Sequence, residues 1–212
     1  MKFNSNFSSS LLFFTNFIKK RKQIGSIIPS SKDLALKLSS KIKETSNPRN
    51  ILEVGSGTGS ITEELVKILN KNDNLVLVEL DKEFCEILRK RIQEWRKSEN
   101  CPNIELFEGN ILDLDESKSF DNIIGCLPFN SFPIELTKQI FQKFKNLLVQ
   151  QGYISFFEYL GGKKVLYYIM NEKEKVRELI TYYNENIDKF VINLDKSYFN
   201  IPPALVRHLK FD

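Results

Sequence analysis

Apolar, β-branched runs alternate with amphipathic helical stretches along most of this chain, and that alternation constrains the fold more than any other feature. The run Asn50–Val54 ends in glycines, and residues 58–71 follow with Ile61, Leu65, Ile68 and Leu69 on one helical face. Runs at 74–80, 103–107, 121–126 and 153–157 read as further strands. Helical periodicity covers 82–96, with Phe84, Leu88, Ile92 and Trp95, and 133–148, which opens on Pro133. A long helix is expected from Lys163 to about Asn184, with closing strands at 189–194 and 205–211. Strands buried on both faces and joined through helices form a parallel sheet covered by helices on both sides. Such α/β sheets bind ligands beyond the carboxyl ends of their strands, where the strand order reverses. The residues just after each strand are therefore the ones to read for chemistry.

Charge divides the chain. Residues 1–43 carry nine Lys/Arg against the single acid Asp33, while residues 44–212 are net acidic. We therefore separate a basic, amphipathic N-terminal helical arm (1–43) from a ligand-binding domain (44–212). Such an arm suits an anionic partner, either lipid headgroups or nucleic acid. The three cysteines, Cys85, Cys101 and Cys126, lack zinc spacing and suit a reduced, cytoplasmic compartment. The single histidine, His208, leaves no basis for a His-ligated metal or a Ser-His-Asp triad, and no metal site is expected. The apolar stretch Leu11–Ile18 is broken by Thr15 and Asn16, whereas a spanning helix needs about 20 apolar residues. Its strong positive cluster, Lys19-Lys20-Arg21-Lys22, follows it rather than precedes it, unlike a signal peptide.

The first strand runs into Gly55-Ser56-Gly57-Thr58-Gly59. Glycines there let the backbone turn tightly and come close to a ligand. The spacing is neither the dinucleotide fingerprint nor a P-loop. Glu53, beside the turn, would repel a pyrophosphate and suits a ligand with cationic groups. About 20 residues on, the second strand ends in Glu79-Leu80-Asp81, where an acid meets ribose hydroxyls; Glu79 is the better candidate, because Asp81 suits a helix N-cap. After the third strand, Asn110-Ile111 would place an amide carbonyl to accept a bond from an adenine amine.

Together these residues resemble the class I S-adenosylmethionine-dependent methyltransferases over about 50–212. The resemblance implies a Rossmann-like fold with a seven-stranded, mostly parallel sheet. It implies S-adenosylmethionine as cofactor, with Gly55, Gly57 and Gly59 at the methionine end, Glu79 on the ribose and Asn110 on the adenine. Glu53, Ser56, Leu80 and Ile111 complete the expected cofactor site.

The fourth strand ends in Cys126-Leu127-Pro128-Phe129-Asn130. We expect a rigid, exposed loop whose carbonyls accept bonds from an incoming amine and whose Phe129 faces its cation. The loop resembles that of amino-methyltransferases, including the ribosomal RNA adenine dimethyltransferases. Their leading Asn, which pairs with the target adenine, is Cys126 here, and a thiol cannot replace an amide. That departure argues against base methylation. Over almost the whole chain the sequence is similar to the bacterial phospholipid N-methyltransferases that act on phosphatidylethanolamine. The segments Ile24–Ser31, Gly125–Asn130, Phe156–Tyr159 and Asn200–Leu209 carry that resemblance. It implies methyl transfer to the amine of phosphatidylethanolamine or its methylated derivatives. The candidate catalytic residues are Leu127, Pro128, Phe129 and Asn130, with Glu158 and Tyr159 holding the ammonium headgroup or taking its proton. The arm, whose Leu11, Phe14 and Ile18 share a helical face before Lys19-Lys20-Arg21-Lys22, would then hold the enzyme on the inner membrane surface. Ribosomal RNA adenine methylation, or cofactor binding without catalysis at a membrane, stays open as the alternative, with nucleic acid the less favoured partner.

Overall fold

In a computed structural model, residues 30–44, 48–164, 167–168 and 171–211 are described. Seven strands, β1 (Asn50–Val54), β2 (Asn74–Glu79), β3 (Asn103–Glu108), β4 (Phe120–Gly125), β5 (Leu148–Tyr159), β6 (Val191–Ser197) and β7 (Ala204–Lys210), form one sheet. Their order is β3-β2-β1-β4-β5-β7-β6. The first five run parallel, and β7 lies antiparallel between β5 and β6. The order reverses at β1, so β1 and β4 flank the crevice that such sheets use for ligands.

Helices cover both faces because successive strand residues point to opposite sides. On one face Leu52, Val54, Ile123 and Phe156 pack against α4 (Ile134–Leu147) and α5 (Lys173–Asn186). On the other, Ile51, Leu77, Ile124 and Val206 pack against α1 (Lys32–Leu38), α2 (Ser60–Ile68) and α3 (Lys82–Trp95). The helix expected from Lys163 is interrupted. A single helical turn at Gly162–Lys164 is separated from α5, and Asn171 takes a left-handed φ of 56° that no helix tolerates.

Part of the segment assigned to the arm is built into the domain. Ser31 caps α1 by accepting from Leu34 N, and Leu34, Ala35, Leu38 and Ile42 are buried in the second core. The apolar block and the four consecutive bases, within 1–29, lie outside the described residues. Among the described residues, no helix is long and apolar enough to cross a membrane.

Candidate active site

Backbone hydrogen bonds beyond the strands draw four strand ends together. Gly55 N donates to Val78 O (2.8 Å), Cys126 N to Val54 O (2.8 Å) and Gly109 N to Glu79 O (2.9 Å). The turn after β1 has left-handed φ at Gly55 (81°), Gly57 (55°) and Gly59 (84°). A Cβ at Gly55 would sit 2.9 Å from Leu127 Cδ2 and 3.1 Å from Cys126 O. A Cβ at Gly57 would meet nothing within 4 Å, so this residue faces open space in front of the turn. Arg91, on α3, clamps the turn from behind by donating to Thr58 O (2.8 Å).

Two acids sit under the turn in different environments. Glu53 is fully buried, and its Oε2 accepts from Thr62 Oγ1 (2.8 Å). Its Oε1 and the nearby Ser56 Oγ are buried and hydrogen-bonded to no group of the described chain. Loss of hydration raises the Glu53 carboxyl to about 8; the Thr62 bond opposes the rise and the negative Glu79 adds to it. Glu79 instead accepts three backbone bonds, from Gly57 N (2.7 Å), Leu80 N (2.9 Å) and Asp81 N (2.9 Å). Burial also raises its carboxyl, against those three donors. Glu79 therefore fixes the glycine turn as well as offering oxygens to a ligand. Asp81 caps α3 through Glu83 N and Phe84 N, as its sequence position suggests.

A pocket opens beside the turn, lined among others by Gly55, Glu79, Leu80, Asn110, Ile111 and Leu127. All six were named from sequence. Asn110 Oδ1 also accepts from Leu112 N (3.1 Å), capping a short turn, so only its second lone pair faces a ligand. Sequence reasoning missed Leu136 and Ile140, whose i, i+4 spacing on α4 lines the far wall, and Thr62, which holds Glu53. Helical periodicity could have found the first two. Nothing local marks Thr62. An unsatisfied carboxyl oxygen, room in front of Gly57 and an apolar wall fit an amino-acid-bearing nucleoside such as S-adenosylmethionine. Among the described residues, no cluster of His, Cys, Asp and Glu could hold a metal ion.

The acceptor loop departs from expectation in part. Phe129 is 1% exposed and stacks on Phe141 at 4.8 Å, with Phe132, Phe144 and Phe156 around it. Its ring is core and does not face a substrate cation, because the short turn at Phe129–Ser131 folds it back under the loop. Leu127 O and Pro128 O accept from Phe129 N and Ser131 N, closing that turn. Asn130 Oδ1 is buried with no hydrogen-bond partner among the described residues. Glu158 is not a free carboxylate: Lys163 Nζ lies 3.1 Å away and Arg207 Nε donates to it at 3.1 Å. Each of its two oxygens is thus faced by a cation of the chain itself. Tyr159 packs edge-on against Phe157 at 5.4 Å. His208 is fully buried between Ser155 Oγ (2.8 Å) and Asp195 Oδ2 (3.1 Å), a structural position far from the turn in the sheet order. Burial pushes the Cys126 thiol well above its ordinary range.

Comparison with known proteins agrees with this geometry. A family model described as a methyltransferase domain matches residues 51–152. An ornithine lipid N-methyltransferase from Singulisphaera acidiphila is 30% identical over 147 residues, covering 66% of this chain and 73% of that protein. Ribosomal RNA small subunit methyltransferase A from Marinobacter nauticus is 32% identical over 59% of this chain but 42% of its own length. Among solved structures, the O-methyltransferase TomG from Streptomyces achromogenes, in complex with S-adenosylmethionine, superposes with a TM-score of 0.64 at 14% identity. That match covers 100% of this chain and 92% of TomG, and it shows a shared fold.

Proposed function

The chain belongs to the class I S-adenosylmethionine-dependent methyltransferases, and we propose that it transfers the methyl group to the amine of a membrane lipid headgroup, phosphatidylethanolamine or its methylated derivatives. The likeness to a lipid N-methyltransferase over 73% of that protein's length carries the reading. The ribosomal relatives favour an RNA adenine acceptor, but the position that would pair with the base holds the half-buried, weakly polar Cys126.

The bound cofactor supplies an electrophilic methyl group on a sulfonium sulfur. Glu53 Oε1 would receive its ammonium group, releasing to water the proton that burial keeps on the carboxyl near neutral pH. Glu79 holds the ribose hydroxyls while keeping Gly57 in place. Leu136 and Ile140 shield the adenine side from water. The acceptor amine must arrive neutral, with its lone pair in line with methyl and sulfur, and most of the rate gain then comes from positioning. Asn130 Oδ1 accepts from the amine N–H and aims the lone pair. The proton lost after transfer passes to water, so no general base of the chain is required. The basic arm brings the enzyme to the anionic cytoplasmic face of the membrane.

The test supplies radiolabelled S-adenosylmethionine with phosphatidylethanolamine vesicles, ornithine lipid vesicles or unmodified small-subunit ribosomal RNA. Label in phosphatidylethanolamine is the expected result. Label in ornithine lipid alone changes the headgroup, and label in RNA alone overturns the lipid reading.

A further inference from the structure

The loop between β6 and β7 lies at the carboxyl end of the sheet, because β6 runs in the direction of β5 and Ala204 pairs with Tyr159. It therefore stands on the same end as the glycine turn and the Cys126–Asn130 loop. Its side chains are turned outward: Tyr198 is 64% exposed, Phe199 83% and Ile201 68%. Large apolar groups left in water together mark a docking surface more often than chance.

The loop is held in this form. Asn200, 4% exposed, accepts from Ser31 N (3.0 Å) and donates to Pro202 O (2.8 Å). Ser197 Oγ donates to Asp33 (2.6 Å), and Leu160 N donates to Pro203 O (2.7 Å). Two prolines stiffen the return to β7, so little order is lost when the loop meets a surface. Buried polar anchors beneath exposed apolar tips mean that the aromatics are presented, not left over from an imperfect core.

We propose that Tyr198, Phe199 and Ile201 insert into the membrane interface and seat the active-site end of the sheet on the bilayer. The choice of occupant rests on the lipid reading above. Three observations support it. The Ser31–Asn200 bond fixes the arm's attachment beside the loop, and residues 1–29 carry Lys2, Lys19, Lys20, Arg21 and Lys22 with no acid. Exposed Lys196, near the end of β6 just before the loop, matches anionic headgroups. The three side chains present on the order of 400 Å², about half of the ~800 Å² that each partner of a stable protein complex buries. A tyrosine beside a phenylalanine and an isoleucine also suits the interface, with its hydroxyl kept at headgroup level.

The test is vesicle co-sedimentation of the full chain with phosphatidylcholine–phosphatidylglycerol and pure phosphatidylcholine vesicles. Phe199→Ser and Ile201→Ser should each lower partition about tenfold, as expected for one part-buried apolar side chain. The loss should appear on neutral vesicles and at high salt, where the arm's charges contribute little. The indole introduced by Phe199→Trp should shift its emission to the blue on vesicle addition. Methylation of detergent-dispersed lipid should be unchanged in the serine variants. Parent-like vesicle binding by both serine variants, an unshifted indole emission from vesicle-bound Phe199→Trp, or no binding by the parent would each overturn the insertion. A dimer that the serine variants dissociate would assign the surface to a second copy instead, and also overturns it. If vesicles bind through the loop yet no lipid is methylated, the substrate reading falls and the insertion stands. If lipid is methylated and the loop variants bind normally, the reverse holds.

Discussion

Glu53 shows how one buried carboxyl can tie cofactor binding to pH. Its folded value near 8 lies above the ordinary 4.5 of an exposed glutamate, chiefly through lost hydration. Between about pH 5 and 8 the unfolded chain has lost this proton while the folded chain keeps it, so stability falls as pH rises and levels off above about 8. Glu53→Gln should remove that slope, gaining on the parent as pH rises in urea denaturation. If Oε1 receives the cofactor's ammonium group, binding near pH 7 should release about one proton. Calorimetry in buffers of different ionisation enthalpy should detect the release in the parent and not in Glu53→Gln. The glycines separate folding from binding in the same way. Gly55→Ala drives a Cβ into Leu127 and the Cys126 carbonyl and should destabilise the fold by about 2 kcal/mol or more. Gly57→Ala faces open space and should cost about 1 kcal/mol of backbone strain, while weakening S-adenosylmethionine binding disproportionately.

At the scale of elements, the sheet's two ends are held by different means. The carboxyl end is organised by backbone bonds among β1, β2 and β4 and by Glu79. The opposite end is held by charge. Arg49, just before β1, donates to Asp73, just before β2, through Nη2 (2.6 Å) and Nε (3.1 Å), and Asp73 also accepts from the backbone of Arg49 and Asn70. Burial alone would raise the Asp73 carboxyl, but these donors hold it below its ordinary value. Arg49→Ala would strand a fully buried carboxylate and should cost about 3–5 kcal/mol at neutral pH. The Asp73 contribution is present above the ordinary carboxylate range and lost as pH falls through it. The deficit of the variant in urea unfolding should therefore narrow in acid.

For the molecule as a whole, the expected work of the arm is recruitment. Replacing Lys19, Lys20, Arg21 and Lys22 with glutamine should weaken binding to anionic vesicles by up to about 4 kcal/mol at low salt, at roughly 1 kcal/mol per base before screening. Raising salt should affect the parent much more than the variant in co-sedimentation. S-adenosylmethionine affinity should not change, because the glycine turn and Glu79 belong to the folded domain.

Periodicity and the placement of glycines and acids after strands determined the α/β class, the run of strands and the glycine turn, and pointed to most of the residues that line the pocket beside it. These are local signals: the alternation of buried strand residues, the φ that glycine alone takes easily, and the acid that ends a strand all lie within a few residues of each other. What lay beyond reach was set by contacts between distant segments. Phe129 reads as a loop aromatic from its proline neighbour, yet α4 and β5 supply the phenylalanines that bury it. Glu158 reads as a free acid after a strand, yet Arg207, on a strand that pairs with β5, neutralises it. The helix expected from Lys163 breaks near Asn171, whose backbone conformation periodicity does not report. The segment 30–43 looks like an arm by charge, yet its apolar face completes a core built mostly by later residues. In each case the deciding partner is far along the chain, and only the packed sheet brings the two together.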